Sequence, residues 1–229
     1  MTGVQFDSIH SANDLGLSLS TVEITPPEPK TYIIEIAGAD GSLDLTEALT
    51  GDVKYKERTI TLNFEMLGDE RDIHGKYSEV MNALHGKRFS EISFDNDGNY
   101  YYIGRVKATA LSSEPLKGII EVQCAVEPYK YDRGEDWLWD PFSFETGIVN
   151  EVSNLKVNGT LEVTYIGQRK KYIPNITASA AMTVVFKGKT YNLSAGKNKI
   201  FEIEFCEGAN ILTFRGNGVV TIENKGGSL

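Results

Sequence analysis

The sequence has very little cysteine and no long apolar run, and both absences exclude whole classes of protein. Its 229 residues include only Cys124 and Cys206, too few for a disulfide framework and too far apart for a zinc site. We expect both thiols to be reduced and mostly buried, as in proteins that fold in a reducing cytoplasm. No apolar stretch approaches the roughly 20 residues of a membrane-spanning helix, so we expect no membrane span. The first residues lack a basic start and an apolar core, so we expect no secretory signal.

Positive charge is also scarce. The chain carries 23 Lys and Arg against 32 Asp and Glu, a net charge of −9 at pH 7. The first 130 residues hold the whole imbalance, with 12 basic against 21 acidic residues, whereas the remainder has 11 of each. Such asymmetry indicates two domains. An acidic half repels a phosphate backbone, so we expect no nucleic-acid binding by the first half.

Strand patterns dominate the first half of the chain. Residues 31–36 (TYIIEI) place Tyr32, Ile34 and Ile36 on one face, and residues 58–66 (RTITLNFEM) alternate in the same way. This alternation predicts strands of a sheet with one buried face. The proline-rich run PPEPK, just before the first of these strands, predicts a spacer or an edge segment.

A single helix is predicted over residues 69–86. Its apolar residues recur at helical spacing and form one stripe. Asp69 suits the N-cap position, and Gly86 suits the left-handed residue that follows a helix. The stripe consists of Ile73, Tyr77, Val80, Met81 and Leu84.

The stretch SFDNDGNYYYIGRV, residues 93–106, admits three interpretations: a calcium loop, an aromatic binding ribbon or a structural hairpin. A calcium loop of the EF-hand type needs Gly at its sixth position and Glu at its twelfth, where this chain has Tyr100 and Val106. A ribbon that stacks nucleic-acid bases needs cations, and only Arg105 and Lys107 lie nearby in an acidic half. We therefore predict a β-hairpin whose Asp-Gly turn supplies the positive φ angles of a tight turn.

The second half is predicted to be all β. We take residues 133–150 as a linker and residues 151–229 as a second domain of short strands separated by Gly and Asn turns, with a tight hairpin at Lys187-Gly188. The last strand is a candidate to return to the first domain, residues 1–132. The fold class is therefore mainly β: a β-sandwich-like N-terminal domain with one α-helix and a hairpin, and a C-terminal domain of β-sandwich or jelly-roll type.

Two residue pairs are candidates for a ligand site or a catalytic site. Trp137 and Trp139 could stack on a sugar, although two aromatics in a linker more often pin one domain to its neighbour. Glu202 and Glu204 fall on one face of the predicted strand 201–205, about 7 Å apart, which is close to the spacing of paired glycosidase carboxylates. An amphipathic strand with a solvated acidic face also explains them. No nucleophile elbow, phosphate loop or spaced histidine set occurs, so we expect no enzyme, no cofactor and no metal site.

The order of elements resembles one known family. The run FDSIHSANDLGLSLS, the PPEPK break, EIAGADGSLDLTEALTG and YKERTITLNFEM look like the start of siphophage distal tail proteins (Dit). In that family one helix follows, then a hairpin with an acidic tip, and then a strand that ends in Pro-Tyr, here VQCAVEPYKY. The resemblance covers residues 4–132; beyond them it is limited to the all-β character and the final VVTIENKGGSL.

The resemblance implies a structural role without catalysis. Distal tail proteins form rings, usually hexameric, that join the tail tube to the baseplate or tip. The first domain builds the ring and the second, often galectin-like, projects outward. The implied partners are further copies of the chain, the tail tube protein, the tape-measure protein, and a tail-associated lysin or receptor-binding protein.

The same resemblance implies that DNA passes through the ring without specific binding. The implied location is the virion tail of a phage or prophage, with assembly in the host cytoplasm. We expect the ring contacts to use exposed strand edges and the hairpin of residues 93–106. The alternatives are a carbohydrate-binding module built on Trp137 and Trp139 and, less favoured, a jelly-roll glycosidase that uses Glu202 and Glu204.

Overall fold

The chain is mainly β, with one α-helix and several antiparallel sheets. The computed structural model describes residues 3–114, 116–133, 151–223 and 226–229. Two compact units emerge, Met1–Pro128 with Leu229 and Tyr129–Ser228. The predicted linker lies outside the described residues from residue 134 onward. Within the described ranges no helix is long and apolar enough to cross a membrane.

The first unit is built on one antiparallel sheet, and a separate small hairpin projects from it. Its elements are β1 (Val4–Phe6), β2 (Ile9–His10), β3 (Ser18–Ile24), β4 (Ile33–Glu35), β5 (Ser42–Asp44), β6 (Arg58–Leu67), α1 (Glu70–Leu84), β7 (Arg88–Phe94), β8 (Tyr100–Glu114) and β9 (Lys117–Val126). The strands of the main sheet pair in the order β2-β1-β7-β8-β9-β6-β3, whereas β4 and β5 pair only with each other.

Strand β6 shows how the alternating sequence makes the buried face. Its apolar residues Ile60, Leu62, Phe64 and Met66 are fully buried, and the residues between them are exposed or half-buried. Their neighbours in the core come from β1, β8, β9 and α1. The strand predicted over residues 58–66 is therefore confirmed.

Helix α1 packs against β6, β8 and β9. It starts where predicted, because an Asp69 carboxylate oxygen accepts the backbone N–H of Asp72 at 2.9 Å and so caps the first turn. It ends at Leu84, and the left-handed residue Gly86, with φ +75°, follows the C-cap residue His85. Of the predicted stripe, Ile73, Val80 and Leu84 are fully buried and Tyr77 and Met81 are half-buried.

The second unit is organised around one long strand. Its strands are β10 (Tyr131–Asp132), β11 (Glu151–Gly167), β12 (Asn175–Ala178), β13 (Met182–Phe186), β14 (Lys189–Leu193), β15 (Gly196–Asn198) and β16 (Gly208–Glu223). β16 pairs along one edge with β11, and along the other with β13 near its start and β12 near its end. The predicted hairpin between β13 and β14 is confirmed, with φ +47° at Lys187 and φ +77° at Gly188.

Aromatic rings fill the core of this unit. Phe205 stacks on Tyr165 with ring centroids 5.1 Å apart, meets Tyr172 edge-on at 5.5 Å and tilts against Phe186 at 6.0 Å. Burial raises the pKa of both tyrosines. Because Phe205 lies outside the named strands, a loop segment closes this core.

Candidate assembly surface

An arm leaves the first unit between β3 and β6. We define the arm as residues 25–57. Its stem continues the β3–β6 ladder outward: the Thr25 N–H donates to the Thr59 carbonyl at 3.0 Å, and Pro29 forms a bridge with Tyr55 further along. Its tip is the β4–β5 hairpin.

Local polar contacts shape both parts of the arm. In the stem, Lys56 Nζ lies 2.9 Å from a Glu28 carboxylate oxygen, and this hydrogen bond and the lysine charge lower the pKa of Glu28. Beside the tip, an Asp44 carboxylate oxygen accepts the Thr46 N–H at 2.9 Å, and hydrogen bonds from Thr46 lower the pKa of Asp44. All these contacts are exposed, so they define the shape of the arm without giving it a core.

No residue of the arm is buried. An isolated two-stranded hairpin is marginally stable in water, and grouped exposed apolar side chains are a common feature of interaction surfaces, so the arm is a candidate for one. The exposed apolar side chains, with their exposed fractions, are Tyr32 (61%), Ile33 (55%), Ile36 (50%), Leu43 (46%) and Leu49 (97%).

This exposure corrects the prediction for residues 31–36. The segment does contain a strand, but Tyr32 and Ile36 are exposed and Ile34 is only half-buried. The physical reason is that β4 pairs only with β5, and no layer of the described chain covers either face of that hairpin. Alternation therefore produced a strand there without a buried face.

The hairpin predicted over residues 93–106 is present as β7 and β8. Its turn differs from the prediction, because Asp95–Asp97 form a single 3-10 turn and Gly98 has φ −60°. Asp95 instead makes contacts with the start of the chain, since its carboxylate accepts the Gly3 N–H at 2.6 Å and lies 3.1 Å from His10 Nε2. Burial alone would raise the pKa of Asp95, but these hydrogen bonds outweigh it and lower the pKa.

Of the three tyrosines on this hairpin, only Tyr102 belongs to the core, and Tyr100 and Tyr101 are half-buried. Tyr102 is buried, meets Phe94 edge-on with centroids 6.3 Å apart, and lies 5.8 Å from the Arg58 guanidinium. Burial raises the pKa of Tyr102. The role in ring contacts that we expected of this hairpin stays a prediction, whereas the exposed apolar surface of the first unit lies mainly on the arm and the adjoining end of β3.

The carboxylate pair proposed for a glycosidase does not lie on a strand. Residues 201–205 form a turn followed by a single bridge from Phe205 to Tyr172. Ile203 is buried but Phe201 is 72% exposed, so the predicted apolar face is broken, and this corrects the strand prediction. Glu202 and Glu204 are both exposed. The other candidate pair, Trp137 and Trp139, lies outside the described residues.

The two cysteines are free thiols in different surroundings. Cys124 is fully buried on β9, and burial raises its pKa to about 12. Cys206 is half-buried, with Lys187 Nζ 3.8 Å from its sulfur. Among the residues that the structure describes, no three His, Cys, Asp or Glu side chains are grouped so that they could hold a metal ion.

Comparisons with known proteins bear on the fold as a whole. No family model and no curated protein matches the sequence. Solved structures do match, among them the Dit protein of phage SPP1, described as a paradigm of the hub adsorption apparatus in phages that infect Gram-positive bacteria. The match has a TM-score of 0.65 and 14% identity, and it covers 98% of this chain and 99% of the SPP1 protein. The chain therefore has the fold of a siphophage distal tail protein.

Proposed function

We propose that this chain is a structural component of a phage or prophage tail, which forms a ring at the distal end of the tail tube and connects the tube to the baseplate or tip. A likeness that spans both chains almost completely supports a role in tail structure. The partners are other copies of the chain, the tail tube and tape-measure proteins, and a tail-associated lysin or receptor-binding protein. The protein works by assembly and not by catalysis.

The arm is the observation that carries this proposal. Five large apolar side chains on a segment with no buried residue are costly to expose in a chain that acts alone. Burial of such side chains contributes about 1.5–3 kcal/mol each when it is complete. Contact with another subunit would recover part of that free energy.

The charge of the first unit fits a ring through which DNA passes. The first 130 residues carry the entire net charge of −9, and the arm alone has three lysines against seven acidic residues. A channel lined by negative charge repels the phosphate backbone of DNA and does not retain it. We therefore expect no salt-sensitive DNA binding by the assembled protein, and filter binding at low ionic strength measures it directly.

The test of the proposal is the assembly state of the intact chain, alone and with the tail tube protein, by native mass spectrometry and electron microscopy. We expect closed rings for the wild type. We expect them to be lost in an arm variant that carries Ile33→Ser, Ile36→Ser and Leu43→Ser. All three residues are exposed, so the fold of the monomer should survive.

A matched control places Ser at exposed apolar positions of the second unit, Ile166 and Ile211. The control should assemble like the wild type. Rings of normal abundance from the arm variant would contradict the role of the arm. Antibody labelling of intact virions anywhere other than the distal end of the tail would contradict the proposed location.

A further inference from the structure

The long strand β11 has one edge that no described strand covers. Along its other edge, residues 155–167 pair without interruption with β16. Among the described strands only β16 pairs with β11, and no isolated bridge or loop backbone hydrogen bond of the described chain reaches the opposite edge, which we call the outer edge. These residues span about 40 Å, so the outer edge presents a long row of backbone donors and acceptors.

Two side-chain contacts show which backbone groups of β11 face the outer edge. The Gly159 N–H donates to the Asn217 side chain at 3.1 Å, and the Tyr165 carbonyl accepts a side-chain N–H of Asn210 at 3.4 Å. Both bonds point towards β16. Because peptide groups alternate in direction along a strand, the N–H and C=O groups of the even-numbered residues from 156 to 166 point to the outer edge.

The outer edge lacks the features that usually stop a strand from pairing with another chain. Natural edge strands are short or bulged, or they carry proline and several charges. The register shift of β11 lies before Leu155, outside residues 155–167. These residues contain no proline, and their charged members are Lys156 and Glu162, both exposed. The edge is therefore open to an added strand.

The sequence of β11 is complementary to itself about Gly159. When two copies of the strand pair antiparallel with this residue at the centre, Lys156 of each copy lies opposite Glu162 of the other. Opposite charges at directly facing positions stabilise a strand pair, and like charges destabilise it. On the other face of the strand, the facing residues are all apolar and buried or half-buried: Val157 with Leu161, and Leu155 with Val163.

The direction of the backbone groups fits the same register. Its hydrogen-bonded pairs are Lys156 with Glu162 and Asn158 with Thr160, which are even-numbered residues whose groups point to the outer edge. Gly159 then meets its own copy at a pair without hydrogen bonds, where the Cα atoms of two strands approach to about 4.5 Å. No atom of the described chain lies within 4 Å of the place that a Cβ of Gly159 would take, so the approach is open.

We propose that two copies of this chain pair along the outer edge of β11, antiparallel and centred on Gly159. The occupant of the edge is a second copy, and the contact is two-fold symmetric, with residues 155–163 of each chain in the pair. The inference goes beyond the proposed function, because a two-fold contact joins two chains and does not by itself close a ring. In a ring of more than two subunits, the contact joins each subunit to a chain of another ring.

Charge reversal at the two exposed positions tests the register. The changes are made in the full-length arm variant, so that ring formation does not obscure a dimer, and association is followed by analytical ultracentrifugation. The arm variant should dimerise. Lys156→Glu alone, or Glu162→Lys alone, places like charges opposite each other at both ends of the contact and should raise the dissociation constant at least about tenfold.

Mixing the two single variants separates the contact from any effect on the fold. Their equimolar mixture should dimerise with the affinity of the arm variant, because each new charge then faces an opposite charge on the other chain. The variant that carries both Lys156→Glu and Glu162→Lys should dimerise equally well. The matched control is Lys189→Glu, which makes the same charge change at an exposed position of β14 and should leave dimerisation unchanged.

Amide exchange locates the contact on the strand. The amides of Asn158 and Thr160 point to the outer edge, so they should gain protection as the protein concentration rises and the dimer forms. The amides of Leu161 and Val163 point towards β16 and should be protected at every concentration. This alternation between neighbouring residues distinguishes edge pairing from a contact through either face of the sheet.

The outcomes separate this inference from the proposed function. Single variants that dimerise as the arm variant does, a mixture that stays monomeric, or an arm variant that never dimerises would each overturn the inference. Protection of Asn158 and Thr160 in the monomer would also overturn it, because the chain itself would then cover the edge. Ring formation is measured with the arm intact, so its failure leaves the dimer test unaffected.

Discussion

The chain of β3 and the chain of β6 both continue beyond the sheet and form the stem of the arm. The strand pair and the arm differ in whether other parts of the first unit pack against them. Within the sheet, the apolar residues of β6 are fully buried, because side chains of β1, β8, β9 and α1 share their core. Beyond Arg58 the same two segments continue as the stem and reach a hairpin in which Ile33 is 55% exposed. The comparison teaches that alternation makes a strand, whereas a covering layer makes a core.

Hydrogen exchange should show the largest contrast between these two regions. We expect the amides of Leu62 and Phe64 to exchange only through global unfolding, whose free energy is typically about 5–15 kcal/mol. The amides of Ile34 and Leu43 should exchange with almost no protection. The measurement is amide exchange of the monomer by NMR or mass spectrometry. Arm amides that exchange together with β6 would show that the arm has a core contact of its own. In the assembled protein, protection of the arm should rise.

Core truncation gives the next largest effect. Phe64→Ala should destabilise the first unit by about 3–5 kcal/mol, because it removes a fully buried ring. Ile33→Ala should change stability by less than about 0.5 kcal/mol, since its side chain is already exposed. Urea unfolding followed by NMR signals of the first unit measures both. Equal losses of stability from the two substitutions would contradict the distinction between the main sheet of the first unit and the arm.

Removal of a capping carboxylate sharpens the comparison, because each region has one. Asp69 accepts a backbone N–H at the start of α1, and Asp44 accepts one beside the tip of the arm, both at 2.9 Å. Asp69→Ala should destabilise the first unit by about 1 kcal/mol. Asp44→Ala should leave the unfolding midpoint unchanged and only speed exchange within the arm. A shift of the global midpoint by Asp44→Ala would contradict independent melting of the arm.

The smallest effect concerns pH. In the folded protein, hydrogen bonds from His10 and Gly3 lower the pKa of Asp95, beside the main sheet, and Lys56 lowers the pKa of Glu28, in the arm. A carboxyl whose pKa is lower in the folded state than the roughly 3.9 of unfolded Asp contributes stability above about pH 5, and loses it as pH falls through the folded pKa. In the variant Asp95→Asn, the free energy of unfolding should therefore fall less steeply between about pH 5 and pH 2 than in the wild type.

Glu28→Gln is the matched control for that measurement. It should leave the pH dependence of global unfolding unchanged, because the arm is expected to open before the main sheet of the first unit unfolds. Urea midpoints taken across this pH range decide the matter. Parallel curves for wild type and Asp95→Asn would mean that the contacts of Asp95 with His10 and Gly3 carry no linkage to folding.

The sequence was sufficient to predict an element wherever its local signals agreed with its burial in the fold. The cap at Asp69, the stripe from Ile73 to Leu84 and the stop at Gly86 all indicated one helix, and α1 is that helix. The uninterrupted alternation of β6 likewise predicted its buried face. In the second unit the dipeptide Lys187-Gly188 placed a hairpin correctly, since a tight turn depends on only two residues.

Sequence failed where burial depends on a distant layer. Residues 31–36 alternate as β6 does, yet nothing in the described chain covers Tyr32 and Ile36. The same error gave a strand at residues 201–205, where Phe201 is exposed. A signal for the arm did exist: three prolines lie in its first five residues, and the stretch from Ala37 to Lys54 is rich in Gly, Asp and Thr. The turn before Tyr100 was also mispredicted, because Asp95 makes contacts with residues far away in sequence.

Strand β6 has one further consequence. Its ten residues set the distance, about 30 Å, between the point where the arm leaves the sheet and the exposed side chain of Leu67. Two extra residues in β6 would lengthen that distance by about 7 Å and keep every side chain on its face, whereas one extra residue would turn the buried row of side chains to the outer face of the sheet. The strand can therefore change its length only in steps of two residues without losing its core.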